Sequence, residues 1–98
     1  MGAETFTSQA AGKTALEAFA TAVIEASYEY GHGGYTGSIA EKNAFKELRT
    51  MSQNDADYVT EAFFNGEGHQ EFEDKWGAAG CIHIEGTDEY LFFGWASS

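Results

Sequence analysis

Proline is absent from the 98-residue chain, cysteine occurs once, and only five residues are Lys or Arg. Without proline, tight turns rest on glycine, of which there are twelve, helped by Asn and Asp. The single thiol, Cys81, excludes an internal disulfide and a paired-cysteine zinc knuckle, so packing has to hold the fold. No apolar run approaches the roughly 18 residues that cross a bilayer, and the opening residues lack the basic and apolar segments of a secretion signal. A soluble, cytoplasmic protein is therefore expected. The shortage of bases is the sharpest absence. Set against sixteen acids it gives a formal charge of −11. Direct binding of nucleic acid or of anionic lipid needs a basic footprint, and both are excluded.

What is present suits one compact domain spanning residues 1–98. Apolar residues make up 43% of the chain and aromatics 15%, enough to build a core and to argue against disorder. The charge is unevenly placed. Residues 1–50 carry a net −2, whereas residues 51–98 carry −9. Between Arg49 and Lys75 no base occurs, yet Asp55, Asp57, Glu61, Glu67, Glu71, Glu73 and Asp74 follow one another. A solvated face that serves solubility alone usually mixes signs, so this stretch is a candidate electronegative interaction surface.

Periodicity predicts a helix over 13–30, with Leu16, Phe19, Ala20, Val23 and Ile24 forming its core stripe, Thr14 or Ser8 as cap, and Gly31 as stop. Runs at 35–40 and 44–49, separated by Glu41-Lys42-Asn43, suggest a first hairpin. Ser52 or Asn54 can cap a second helix through Tyr58, Val59, Ala62 and Phe63, ending at Gly66. Alternation at 81–85 and 90–95 around Gly86-Thr87-Asp88 reads as a second hairpin. The expected fold class is α+β, two helices packed on an antiparallel sheet of about four strands in the order αββαββ.

Chemical motifs are few. Gly31 to Ser38 is rich in glycine, but no lysine follows Gly37 as a P-loop requires, and the segment leaves a helix where nucleotide loops enter one. Its His32, Tyr35, Thr36 and Ser38 stand as an alternative ligand loop, for a small ligand- or nucleotide-binding protein or enzyme. Cys81 and His83 would share a strand face, without the spacing of a metal site. Asp55 and Asp57 begin like a calcium loop, but Thr60 stands where that loop needs glycine and Gly66 where it needs Glu. The GxSxG elbow is missing. No catalytic residue, metal or cofactor is expected. Fifteen aromatics exceed what one small core needs, and Tyr28, Tyr30, Tyr35, Tyr58, Trp76 and Trp95 are the candidates to anchor a docking face or homodimer interface.

Two stretches, YEYGHGGYTGSIAEK at Tyr28–Lys42 and KWGAAGCI with FFGWASS at Lys75–Ile82 and Phe92–Ser98, resemble segments of small uncharacterised proteins carried by phages and mobile elements. The size and acidity are similar to those of phage anti-defence proteins, including anti-CRISPR inhibitors and other nucleic-acid mimics. That resemblance implies a protein acting in a bacterial host cell. The expectation is a non-catalytic inhibitor whose acidic residues occupy the basic nucleic-acid-binding surface of a partner protein or complex.

Overall fold

The structure, a computed structural model, describes residues 2–30 and 37–97. Strand β1 (Ala3–Ala11) leads into helix α1 (Ala15–Tyr30), followed by β2 (Phe45–Glu47), α2 (Gln53–Phe64), β3 (Ala79–His83) and β4 (Glu89–Ser97). Single turns of 3-10 helix occupy Ile39–Glu41 and Gln70–Glu73. The four strands form one sheet in the order β1-β4-β3-β2. The β1/β4 and β4/β3 pairs are antiparallel, and β2 joins parallel to β3.

The α+β class with two helices and four strands holds, but the first hairpin does not form. Ile39 and Ala40 lie in a helical turn capped by Ser38, whose Oγ accepts the Ala40 N–H at 3.2 Å. Phe45–Glu47 pairs instead with β3. Tyr35 and Thr36, the start of the expected run, lie outside the described residues. The missing strand is β1, nine residues in unbroken register with β4 from Ala3↔Ser97 to Ala11↔Glu89. Ser8, a suggested helix cap, therefore sits in a strand, and Thr14 caps α1, its Oγ1 accepting the Glu17 N–H at 3.2 Å.

Side chains alternate along a strand, so β4 feeds two cores. Phe92 and Ala96 point to one face with Phe6, Ala10, Ala79 and Cys81, under α1. Leu91 and Phe93 point to the other with Ile82, Ile84, Met51 and Phe72, under Ala56 and Phe63 of α2. The helices thus cover opposite faces of the sheet. Because bulk comes from the sheet side, α1 presents small residues to it: Ala15, Ala18, Ala22 and Ala26 are buried beside one large side chain, Phe19. Phe19 meets Phe45 and Phe92 at ring distances of 5.0 and 5.5 Å. The expected stripe is accordingly rotated, leaving Leu16 and Ile24 67% and 56% exposed.

On the α2 face the centre of the core is Phe93, which packs edge-on against Phe63 at 5.2 Å and Phe72 at 5.4 Å. Its ring lies over Gly80 of β3. A methyl group there would come within 2.5 Å of the ring, closer than any contact can be. Gly80→Ala should therefore destabilise the fold by about 1–3 kcal/mol. Denaturant unfolding checks this, with a lowered midpoint at unchanged slope expected.

Candidate interaction surface at the end of helix α2

Helix α2 begins and ends on specific caps, and the caps position its acids. Ser52 Oγ accepts the Asp55 N–H at 3.2 Å, which places Asp55 in the first turn, where the positive end of the helix dipole favours a carboxylate. Asp57 accepts a hydrogen bond from Gln53 Nε2 at 3.0 Å. Asp57 is thus held by a local side-chain hydrogen bond, and the Asp55 carboxylate, among the described residues, by the favourable end of the dipole alone. At the other end, Gly66 adopts φ +82°. The Glu67 N–H then reaches back to the Ala62 carbonyl at 2.8 Å and the Gly66 N–H to Phe63 at 3.0 Å. This paired closure turns the chain sharply and sets Glu67 beside the last turn.

The surface there is hollowed in two places. One depression is lined by Tyr58, Glu61, Ala62, Asn65 and Glu67. Its neighbour is lined by Phe63, Phe64, Asn65, Gly66, Glu73 and Trp95. Asn65 is common to both, so three of the acids named from sequence, Glu61, Glu67 and Glu73, gather around one helix end. Tyr58 stands 73% exposed beside them. The other four are exposed too, but Asp55 and Asp57 lie in the first half of α2, and Glu71 and Asp74 lie on and after the 3-10 turn at Gln70–Glu73.

One base that reaches the end of this acidic stretch is turned inward. Lys42 is 3% exposed, and its Nζ donates to the carbonyls of Asp74, Lys75 and Gly77 at 3.2, 3.3 and 2.9 Å. Burial pushes its ammonium below the ordinary lysine value, and the Asp74 carboxylate partly offsets that. Asp74 Oδ1 also accepts the Trp76 N–H at 2.9 Å, closing the turn that Lys42 clamps. Lys75 Nζ sits 5.3 Å above the Trp76 ring and donates to the Gly2 carbonyl at 3.3 Å. For Glu61, Glu67, Glu71 and Glu73 the described residues supply no side-chain hydrogen bond or ion pair.

Elsewhere the candidate chemistry is absorbed by packing. Ser38 is buried and caps a helical turn, while His32, Tyr35 and Thr36 lie outside the described residues. Both ring nitrogens of His83 have partners: Nε2 with the Thr87 carbonyl at 2.7 Å and Nδ1 with Thr50 Oγ1 at 3.2 Å. Cys81 does share the His83 face but is fully buried. Burial, with Glu47 nearby, pushes its thiol up to about 12. Among the described residues no three His, Cys, Asp or Glu side chains come together as metal ligands, and no helix is long and apolar enough to cross a membrane. Of the aromatics, Tyr28, Tyr58 and Trp76 are exposed and Trp95 is half-buried. The side chain of Tyr30 and all of Tyr35 lie outside the description.

Comparisons with protein-family models, curated proteins and solved structures find no match to this chain.

Two outcomes follow. Lys42→Met would strand three carbonyls without their buried donor, and a stability loss of about 1–3 kcal/mol in denaturant titration is expected. The Cys81 thiol binds its proton in the folded state up to about 12, against 9.0 for an ordinary thiol. Folded protein thus holds more protons across that window, and stability from this group falls as pH rises through it. Thiol alkylation at pH 8 should accordingly be slow in native protein and fast in denaturant.

Proposed function

We propose that this protein is a small, non-catalytic interaction protein whose acidic α2 surface occupies a basic, nucleic-acid-binding surface of a partner. The observation that carries the reading is the placement of Glu61 and Glu67. They stand at the C-terminal end of α2, where the helix dipole is already negative, and no base lies in that last turn. Carboxylates there cost stability, by a few tenths of a kcal/mol to about 1 kcal/mol each. Lys42, which reaches the Asp74–Gly77 turn, is spent inside the fold. Acids kept where they destabilise are better explained by what they bind.

The electrostatics fit a nucleic-acid mimic. Duplex DNA presents one negative charge per about 1.7 Å of axis, and Lys and Arg that bind it respond to any rigid array of similar density. Asp57 lies one turn before Glu61 on α2, the spacing at which helical side chains are neighbours at about 6 Å, and Glu67 and Glu73 continue the array past the helix end. Tyr58 adds an aromatic face against which a guanidinium can stack. A phage anti-defence protein acting in a bacterial cell would use such a surface to block a host nucleic-acid-binding complex.

Charge reversal separates binding from folding. Glu61→Lys and Glu67→Lys should leave stability unchanged or raise it by up to about 1 kcal/mol, because each places a base at the negative end of the dipole. Together they should weaken retention of the host partner captured at low salt by about tenfold or more. Retention of the unaltered protein should also fall steeply as salt rises. Unchanged retention by the double variant, or binding indifferent to salt, would remove the proposal.

A further inference from the structure

The two edges of the sheet differ in a way the fold does not require. On one side lies β2, three residues long and carrying Lys46 and Glu47, a short and charged edge of the kind that resists further pairing. On the other lies β1, nine residues with no proline, lysine or break in register. Among the described residues no strand pairs with its outer side.

The direction of its backbone groups follows from the hydrogen bonds of the ladder. The Gly12 N–H donates to the Asp88 carbonyl at 2.9 Å, in register with the pairing of Ala11 to Glu89. Since hydrogen-bonded pairs alternate in an antiparallel ladder, the even residues of β1 bond β4 and the odd ones turn away. Ile84 N–H donating to Glu89 O at 2.9 Å agrees, since it directs the odd residues of β4 to β3. Ala3, Thr5, Thr7, Gln9 and Ala11 therefore present their N–H and C=O groups outward, along about 27 Å of strand.

Beside this edge runs a groove between β1 and α1, lined by Thr7, Ser8 and Gln9 on one wall and by Ala22, Glu25, Ala26 and Glu29 on the other. Alanine keeps it open and the two carboxylates make it acidic. Glu4 is exposed on the same side of the strand. The last turn of α1 carries no base, so Glu25 and Glu29, like Glu61 and Glu67, sit toward the negative end of a helix. The neighbouring bases fall at the two ends: Lys13 follows Gly12, and Lys75 reaches the Gly2 carbonyl.

We infer that the outer edge of β1 accepts an extended segment of a partner protein as a fifth strand, with Lys or Arg at alternate positions facing α1. Main-chain hydrogen bonds to the odd residues give affinity, and Glu25 and Glu29 select a basic strand. A second copy of this chain fits the edge less well, since two copies would bring their α1 carboxylates together in chains that each carry −11. The inference goes beyond the α2 reading and stands or falls separately from it.

Amide hydrogen exchange by NMR tests it, with a capped nonapeptide alternating Lys and Thr as the probe and the same peptide with Glu for Lys as control. In the free protein the N–H groups of Thr5, Thr7 and Gln9 should exchange at least about tenfold faster than those of Phe6, Ser8 and Ala10. The Lys peptide should slow the odd set about tenfold or more, and the Glu peptide should not. Thr7→Pro removes an outward N–H and should weaken the peptide about tenfold. Glu25→Lys with Glu29→Lys should do the same without touching the strand, which keeps the test decisive if the proline variant unfolds. Three results would overturn the inference: odd amides already protected in the free protein, peptide protection confined to α2, or equal binding of the Glu peptide.

Discussion

Both cores are built on β4, whose alternate residues have to satisfy opposite faces of a sheet only four strands wide. Phe92 and Phe93 are neighbours in sequence and belong to different cores. That double duty sets the rest. The α1 face is filled by rings from the sheet, so α1 can be lined with alanine and lie close. The α2 face is filled by Phe93 and its two edge-on partners, so β3 needs a glycine beneath the ring. A chain of 98 residues gains two helix-covered faces from one central strand, and it does so without disulfides or proline.

The same economy pushes charge outward. With the sheet interior apolar on both faces, sixteen acids have only the helix exteriors, the strand edges and the loops to occupy. Where they settle is informative. Asp55 sits where a helix dipole welcomes it, and Glu61, Glu67, Glu25 and Glu29 sit where it does not. Burial of Lys42 against three carbonyls strengthens the contrast, since it stabilises the Asp74–Gly77 turn while withdrawing a positive charge from the surface. Stability and surface potential are thus separable here, and the acids at the C-terminal ends of the helices contribute to the second.

Much of this was legible in the residues, and the parts that were not have physical reasons. Helix α2 and the β3–β4 hairpin carry strong signals: a serine cap, a terminal glycine, and alternation around Gly86. Strand β1 was not legible because its inward row, Phe6, Ser8 and Ala10, contains one large apolar side chain, and its burial depends on α1 lying close. Phe45–Glu47 looked like half of a local hairpin because its true partner is distant in sequence and parallel. The α1 stripe was misplaced because Leu16 and Ile24 outweigh alanine in any hydrophobic pattern, whereas the packing selects for small volume. As for the surface, the acids themselves could be named from sequence. Their gathering around Asn65, and the inward turn of Lys42, could not, because both depend on the closure at Gly66 and on contacts across the fold.

If the α2 surface occupies a nucleic-acid-binding surface, it has to compete with nucleic acid for its partner. The direct measurement is fluorescence anisotropy of a labelled duplex bound to the captured partner, titrated with this protein at low salt. The duplex should be released as the protein is added, and the Glu61→Lys, Glu67→Lys double variant should fail to release it. A complex in which partner, duplex and this protein coexist, with anisotropy undiminished at saturation, would contradict it.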